Sequence, residues 1–503
     1  MKAVILAAGI GSRLRPLTND RPKTMVQVAG KSILEHQLDA FVDAGVRDIV
    51  CVTGYEADAI EHMCRHRHDA TISLIRNVDY ETTNNMFSLS LAAEQLEGRS
   101  FLLCNADVVL TSRVVEKILA TPGEAVVAVD RGEYLAESMK VVAREDGSLS
   151  HISKDIPPHE SHGVSIDLYR FSVTAGASLL GEVRARIGAG AKHEWTEVAL
   201  DALMRNSPIR FVPADIAGLP WYEVDTYDDL TRADILFSSA SEWLPRVRAV
   251  AIDLDGTLYR GDELLPGARD AVVSIQRSGR DLVVLSNNSS RARDDYVKRL
   301  EGFGITVRPE QIVISTDELI AFLHEGRALS VHVLGTESLR GLIAGAGIRL
   351  NSVDPEYVVV GYDTSLTYEA LVGACKLINA GVEYIGTHAD VFCPSPDGPI
   401  PDAGAIMQLL EITTGRRPLR IFGKPSPGML RPWLARTGTP PSELLVIGDR
   451  LHTDIRLARN VGAIACLVLT GDSTRLDLQS SDHYPELVLD GLGALSELLA
   501  EDQ

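Results

Sequence analysis

The sequence has no C-x-x-C pair, no long apolar run and no excess of positive charge, and each shortage removes a class of protein. Its six cysteines, Cys51, Cys64, Cys104, Cys375, Cys393 and Cys466, are scattered. Neither a zinc knuckle nor a disulfide framework is expected, and reduced thiols in a cytoplasmic protein are. No apolar run approaches the ~18 residues that suggest a membrane span, so no membrane partner is expected. The N-terminus places Lys2 ahead of apolar residues, as a secretory leader does. That stretch is too short, however, and it runs into Gly-x-Gly-x-Arg instead of a cleavage site. Lysine and arginine number 49 against 69 aspartates and glutamates, a formal charge of −20. So acidic a surface repels phosphate backbones, which excludes nonspecific binding to nucleic acid or anionic membranes. A basic pocket for a small phosphate ligand remains compatible with it. Short-period repeats and low-complexity tracts are absent, and nothing indicates the oligomeric state.

What is present is an ordinary globular composition, 45% hydrophobic over 503 residues, long enough for two to four domains. Short β-rich apolar runs alternate with helical patterns. Strands are expected at 2–7, 48–53, 71–75, 101–104 and 125–129, with an amphipathic helix at 33–44. Around 238–248 a polar stretch leads through Pro245 to a new buried strand at 249–253, and alternation resumes at 281–285, 331–334, 357–361, 383–386, 444–447 and 464–469. The expected class is α/β: two Rossmann-like parallel-sheet domains, at 1–240 and 247–503, the second with an inserted α/β cap at about 337–417. Ligands of such sheets bind beyond the carboxyl ends of the strands.

The first strand opens into Leu6, Ala7, Ala8, Gly9, Ile10, Gly11, Ser12 and Arg13. Glycines let backbone N–H groups approach a phosphate closely, and Arg13 and Lys23 can neutralise a triphosphate. On its own the loop reads equally as a structural turn, and it is neither a P-loop nor a complete dinucleotide fingerprint. The longer pattern is more specific: Leu6-Ala-Ala-Gly-x-Gly-Ser-Arg-Leu-x-Pro-Leu-Thr18, Arg21-Pro-Lys23-x-Met25, then Val28-x-Gly30-Lys31. It resembles the signature of the nucleoside-triphosphate transferases, which make nucleoside-diphosphate sugars and alcohols. The resemblance implies nucleotide binding by the loop and Lys23, with Asp107 and Asp225 as ligands of Mg²⁺, a hard cation that clamps phosphates through oxygens. The segments Thr83–Leu89, Met139–Val141 and Ile152–Asp155 are similar to the branch that transfers CMP from CTP to phosphocholine or other phospho-alcohols. Asn84, Asn85, Lys140 and Lys154 are then expected at the acceptor, although either lysine also reads as a solvated surface group. Trp195 and Trp221 read as acceptor walls that attract a quaternary ammonium, or as core.

The second half carries Asp253-Leu-Asp255-Gly-Thr257 at a strand end, then Ser286-Asn287-Asn288, Lys424 in Gly-Lys-Pro-Ser-Pro, and Gly448-Asp449-Arg450 with Asp454. A carboxylate nucleophile needs a metal to screen it from an anionic phosphate. These four motifs, in this order, resemble the haloacid-dehalogenase phosphatases. The resemblance implies Asp253 as nucleophile and metal ligand, Asp255 as general acid/base with its backbone carbonyl on Mg²⁺, Ser286 and Lys424 on the phosphoryl oxygens, Asn287 beside the substrate, and Asp449 and Asp454 at the metal. Within the cap, Val359–Asp363 and Thr387–Asp390 resemble the phosphoglycolate and nitrophenyl phosphatase branch. That branch usually has Asn-Pro where His388 and Ala389 stand, and Gly where Asp402 stands, so His388 and Asp390 are expected to bear on specificity or to belong to ordinary cap-loop structure.

The expected function is therefore bifunctional: nucleotidyl transfer to a phospho-alcohol, and hydrolysis of a phosphate monoester. A sugar-1-phosphate nucleotidyltransferase in the first half, or a non-catalytic binding module in one half, are the competing readings. His62 and His66 have i, i+4 spacing that permits a shared metal, but with Arg65, Arg67 and His68 around them they read as a solvated polar face.

Overall fold

The computed structural model describes residues 1–132, 138–393 and 398–501. The chain divides into two compact units, Met1–Phe237 and Ser238–Gln503. The boundary falls between Phe237 and Ser238, at the start of the stretch where the sequence pattern resets, and the short helix Ala240–Trp243 lies in the second unit.

The first unit is built on a nine-stranded sheet. Thr71–Arg76, Asp48–Thr53, Lys2–Ala7 and Phe101–Asn105 lie side by side and parallel. Lys2–Ala7 is buried on both faces, as the uninterrupted apolar run requires. Val4 and Leu6 pack against the helices Asn85–Leu96 and Val173–Gly188, while Ala3, Ile5 and Ala7 join the layer under Ile33–Asp43 and Ser112–Ala120. The rest of the sheet is less parallel than the sequence rhythm suggests. Gly163–Phe171 runs antiparallel to both Phe101–Asn105 and Ala125–Asp130. The hairpin of Lys140–Ala143 and Leu149–Ser153 that precedes it joins the same sheet, and Gly163–Phe171 pairs antiparallel with Lys140–Ala143 as well.

In the second unit a six-stranded, wholly parallel sheet runs in the order Ile312–Ile314, Asp281–Ser286, Ala249–Asp253, Leu444–Gly448, Ile464–Val468, Leu487–Leu489. A second parallel sheet, the cap, contains Arg349–Leu350, Ser330–Leu334, Tyr357–Val360, Glu383–Gly386 and Arg420–Ile421. The cap is thus wider than 337–417, because its strand Ser330–Leu334 precedes the first cap helix, Glu337–Gly345, and Arg420–Ile421 follows the last. Its core is separate, with Val331, Val333, Ile343, Val359 and Ile385 fully or almost fully buried together.

Candidate active sites

In the first unit, a cleft opens where strands Lys2–Ala7 and Phe101–Asn105 end. Leu6, Ala7, Ala8, Gly9, Arg13 and Lys23 form one wall. Gly11 has φ +68°, and a Cβ there would meet the Lys23 Cβ at 2.6 Å, so the loop closes over Lys23 only with glycine. Trp221–Glu223 pairs with Val108–Leu110, and the Val224 N–H donates to the Asp107 carbonyl at 2.9 Å. This antiparallel pair brings together two aspartates that are remote in sequence. Lys23 Nζ lies 3.1 Å from Asp107 Oδ2 and 2.6 Å from Asp225 Oδ1, and Arg13 reaches Asp225 Oδ2 at 2.9 Å. Burial opposes the charge on Lys23, but the two aspartates outweigh it and raise its pKa.

Carboxylates dominate the opposite side. One oxygen each of Asp107, Glu223 and Asp225 lie within 4.8 Å of one another, and Asp107 Oδ1 is buried without a hydrogen-bond partner. That donor set of hard oxygens, one of them unsatisfied, fits a divalent cation such as Mg²⁺. Burial, then the charges of Asp107, Asp167 and Asp225, push Glu223 up to about 8. Asp167 sits at φ +58° inside a bulge of Gly163–Phe171, where the register shifts between Ser165 and Tyr169. The bulge aims its carboxylate into the cleft, where it accepts from Asn105 Nδ2 at 2.8 Å and Tyr169 OH at 2.9 Å.

In the second unit the chemistry again gathers at the carboxyl ends of the sheet. Asp253 and Ser286 end neighbouring strands, and Asp449 and Asp454 follow the next. Lys424 Nζ bonds Asp253 Oδ1 and, at 2.7 Å, Asp454 Oδ1. Burial works against the ammonium, but these two carboxylates hold it protonated above its usual range. Asn287 ties three segments together: its Oδ1 accepts from Lys424 N–H at 2.7 Å, and its Nδ2 donates to the Lys424 carbonyl at 3.2 Å and to Asp390 Oδ2 of the cap at 3.1 Å. Ser286 Oγ lies 3.1 Å from Tyr296 OH. Gly256 has φ +91°, and a Cβ there would meet Asp449 Oδ2 at 2.4 Å. Oxygens of Asp253, Asp449 and Asp454 lie within 4.8 Å of one another, and Asp449 Oδ1 is buried and unpartnered. Burial, then Asp454, push Asp449 up to about 7. This set also fits a hard divalent cation.

Residues 250–349 match the haloacid dehalogenase-like hydrolase family, residues 421–495 a second family of the same kind, and residues 3–222 the MobA-like NTP transferase domain. The 5'-nucleotidase YutF of Bacillus subtilis is 33% identical over 244 residues, 48% of this chain and 94% of that protein. The chain belongs to the haloacid dehalogenase-like hydrolases. A dihydroxyacetone phosphatase of Corynebacterium glutamicum is 32% identical over 49% of this chain and 89% of its own length, and an acid sugar phosphatase of Staphylococcus aureus 32% over 51% and 99%. The hydrolase-like half of this chain is fused to a domain that matches the MobA-like NTP transferases. No helix among its described residues is long and apolar enough to cross a membrane.

Most residues singled out in the sequence of the hydrolase and its partner domain converge on these two clefts, and several do not. Asn84, Asn85 and Lys154 line the first, Lys154 with its ammonium 5.0 Å from the centre of the Trp195 ring. Gly11 and Ser12 lie outside its wall. Lys140 does too: it is 1% exposed, and its Nζ donates to the carbonyls of Ser138 and Lys154. It therefore shapes the chain that carries Lys154 instead of meeting an acceptor. Trp221 turns away to donate to Asp130 Oδ2 at 2.6 Å. Asp253, Asp255, Ser286, Asn287, Lys424, Asp454 and Asp390 line the second cleft, whereas His388 is wholly buried behind it. His62 and His66 are exposed. Sequence reasoning missed Asp167, Glu197 and Glu223 in the first cleft, and Phe392 and Arg450 in the second. Only Glu223 had a signal: it stands two residues from Asp225, on the same side of an extended chain.

Proposed function

We propose that the first unit transfers CMP from CTP to a phosphorylated alcohol, releasing pyrophosphate, and that the second hydrolyses a small phosphate monoester through a phosphoaspartate. The transfer reading is carried by one observation: the segments that resemble the phospho-alcohol branch supply Thr83, Asn84, Asn85, Met139 and Lys154 to the same cleft as Lys23, Asp107 and Asp225. An oxygen of the acceptor phosphate attacks the α-phosphorus of the nucleotide as the bond to pyrophosphate breaks. Arg13 and Lys23, beside the glycine loop, stabilise the charge that accumulates on the leaving pyrophosphate. Lys154, across the cleft, orients the acceptor phosphate. Asp107 and Asp225, with Glu223 beside them, would hold Mg²⁺, which screens the negative charge of the phosphates.

For hydrolysis, Asp253 Oδ attacks phosphorus and the bond to the leaving alcohol breaks, with Asp255 donating a proton to the departing oxygen. Burial raises the pKa of Asp255, which suits a group that must hold that proton. Water then opens the phosphoaspartate as Asp255 takes its proton. Lys424 and Ser286 hold the phosphoryl oxygens. Asp253, Asp449 and Asp454 would hold Mg²⁺. The names of the relatives, a dihydroxyacetone phosphatase and an acid sugar phosphatase, favour a polyhydroxylated substrate.

The test uses the full chain carrying Asp253→Asn, so that the phosphatase does not consume the acceptor. Pyrophosphate release is measured from CTP, UTP, ATP and GTP with a panel of phospho-alcohols and sugar 1-phosphates. Turnover with CTP and a phospho-alcohol is expected. Turnover with a sugar 1-phosphate alone overturns the acceptor class, and no turnover with any pair overturns the transfer reading. The same variant is expected to lose hydrolysis of 4-nitrophenyl phosphate, and retained hydrolysis refutes Asp253 as nucleophile.

A further inference from the structure

His388 and Asp402, two cap residues that differ from the pattern of the branch the cap resembles, are in contact. His388 follows strand Glu383–Gly386, and Asp402 is the N-cap of helix Ala403–Thr414. His388 Nε2 lies 2.8 Å from Asp402 Oδ1. His388 Nδ1 lies 2.8 Å from Thr387 Oγ1, which donates to Ser289 Oγ at 3.0 Å. Burial opposes protonation of the imidazole, yet Asp402 outweighs it and raises the pKa of His388.

An N-cap alone does not need this apparatus. Serine, threonine or asparagine caps a helix as well as aspartate does, and an aspartate on the wall of a phosphatase cleft repels the anionic substrate. The geometry gives Asp402 a second task. Its Oδ1 receives both the Ala403 N–H, at 2.6 Å, and His388, which fixes the side-chain rotamer. Its Oδ2 receives no hydrogen bond from the described residues, and the side chain lines the cleft with Asp253, Asp255 and Lys424. His388 offsets the charge from behind. The cleft is thus offered a fixed, charge-compensated acceptor on its cap side. Asp390 stands on the same wall, its Oδ1 buried without a hydrogen bond and 3.6 Å from Arg450 Nη1. The ring of Phe392, with Arg450 over it, gives the same wall a flat apolar face.

We infer that Asp402, held by His388 as a positioning residue, selects phosphate monoesters whose leaving alcohol carries further hydroxyl groups. Because Asp402 is paired and Asp390 faces Arg450, the wall has no net charge to reward an ammonium, so neutral hydroxyl donors are the better match. The inference rests on the phosphatase reading, and the experiment separates the two. The full chain is assayed with glycerol 3-phosphate, propyl phosphate, which has the same carbon chain without hydroxyls, and ethanolamine phosphate. The wild type is expected to prefer glycerol 3-phosphate. Asp402→Asn keeps the helix cap but turns an N–H toward the cleft. It is expected to lower the ratio of kcat/KM for glycerol 3-phosphate over propyl phosphate by about tenfold or more, chiefly through KM. His388→Asn is expected to lower the same ratio, and the double variant to fall no further than Asp402→Asn. An unchanged ratio in folded Asp402→Asn overturns the inference, as does a wild-type preference for ethanolamine phosphate that Asp402→Asn abolishes. No turnover of any ester by the wild type refutes the phosphatase reading instead.

Discussion

Replacing Lys424 with methionine tests whether the second cleft is held together by its ammonium. The Lys424 side chain is 4% exposed, and the Asp253 and Asp454 side chains it bonds are 8% and 1% exposed. Methionine fills most of the volume and leaves two buried carboxylates without their cation. Removing one partner of a buried pair costs about 3–5 kcal/mol. For a unit of this size each kcal/mol moves the unfolding midpoint by roughly 2–4 °C, so a fall of about 6–20 °C is expected. The assay is calorimetry of the full chain in chelator, at about pH 8 and about pH 5.5. The sign of the pH effect follows from the carboxylates. Burial already raises Asp253 and Asp449, and loss of Lys424 raises Asp253 further. A raised acid binds more protons folded than unfolded, so its contribution to stability falls as pH rises. The deficit of Lys424→Met is therefore largest at the higher pH, and added Mg²⁺ narrows it by restoring a cation. Coincident unfolding of variant and wild type at the higher pH in chelator would refute the reasoning.

Three further outcomes are expected. His388 titrates above 6.5 in the wild type, so its contribution to stability is complete below that value and is lost as pH rises through the raised folded pKa. In Asp402→Asn burial and Arg450 both oppose protonation and only the charge of Asp390 still favours it, so the His388 midpoint seen by NMR should fall; a midpoint that stays put rules out the pair as its cause. Asp107→Asn should lower nucleotidyl transfer by about a hundredfold or more while hydrolysis by the same preparation persists; equal pyrophosphate release from variant and wild type would remove Asp107 from the site. Because Asp449 is pushed up to about 7 in the metal-free protein, Mg²⁺ binding should weaken below that pH and release protons. Calorimetric titrations in two buffers of different ionisation enthalpy read that release, and a pH-independent affinity would contradict it.

The residues that were legible from sequence are those whose chemistry is written in contiguous runs at strand ends. Asp253 and Ser286 end their strands, and Asp449 and the Leu6–Gly9 loop lie at or just beyond strand ends. Side chains brought in by pairing between distant segments were not legible. Glu197 comes from a helix, and Asp167 from a bulge whose register shift has no local signature. Lys140 shows the converse. A lysine in a polar-looking segment reads as solvent-facing, yet here carbonyl oxygens of Ser138 and Lys154 satisfy it in the interior. His388 and Asp402 were each visible as departures, but they stand fourteen positions apart and only the fold shows them as a pair. The mixed direction of the first sheet was hidden for a similar reason, since periodicity locates a strand without giving its direction.

In both clefts a lysine bridges two aspartates: Lys23 between Asp107 and Asp225, Lys424 between Asp253 and Asp454. Each site thereby carries its own counter-ion. Mutual repulsion of the carboxylates is checked before any metal arrives, and a divalent ion that enters must share its oxygens with a resident ammonium. Binding then amounts to partial exchange of one cation for another, and its free energy is smaller than bare carboxylates would give. Such sites suit an ion that loads and leaves with the phosphate substrate, at a free concentration high enough to compete, more than one locked permanently into the fold.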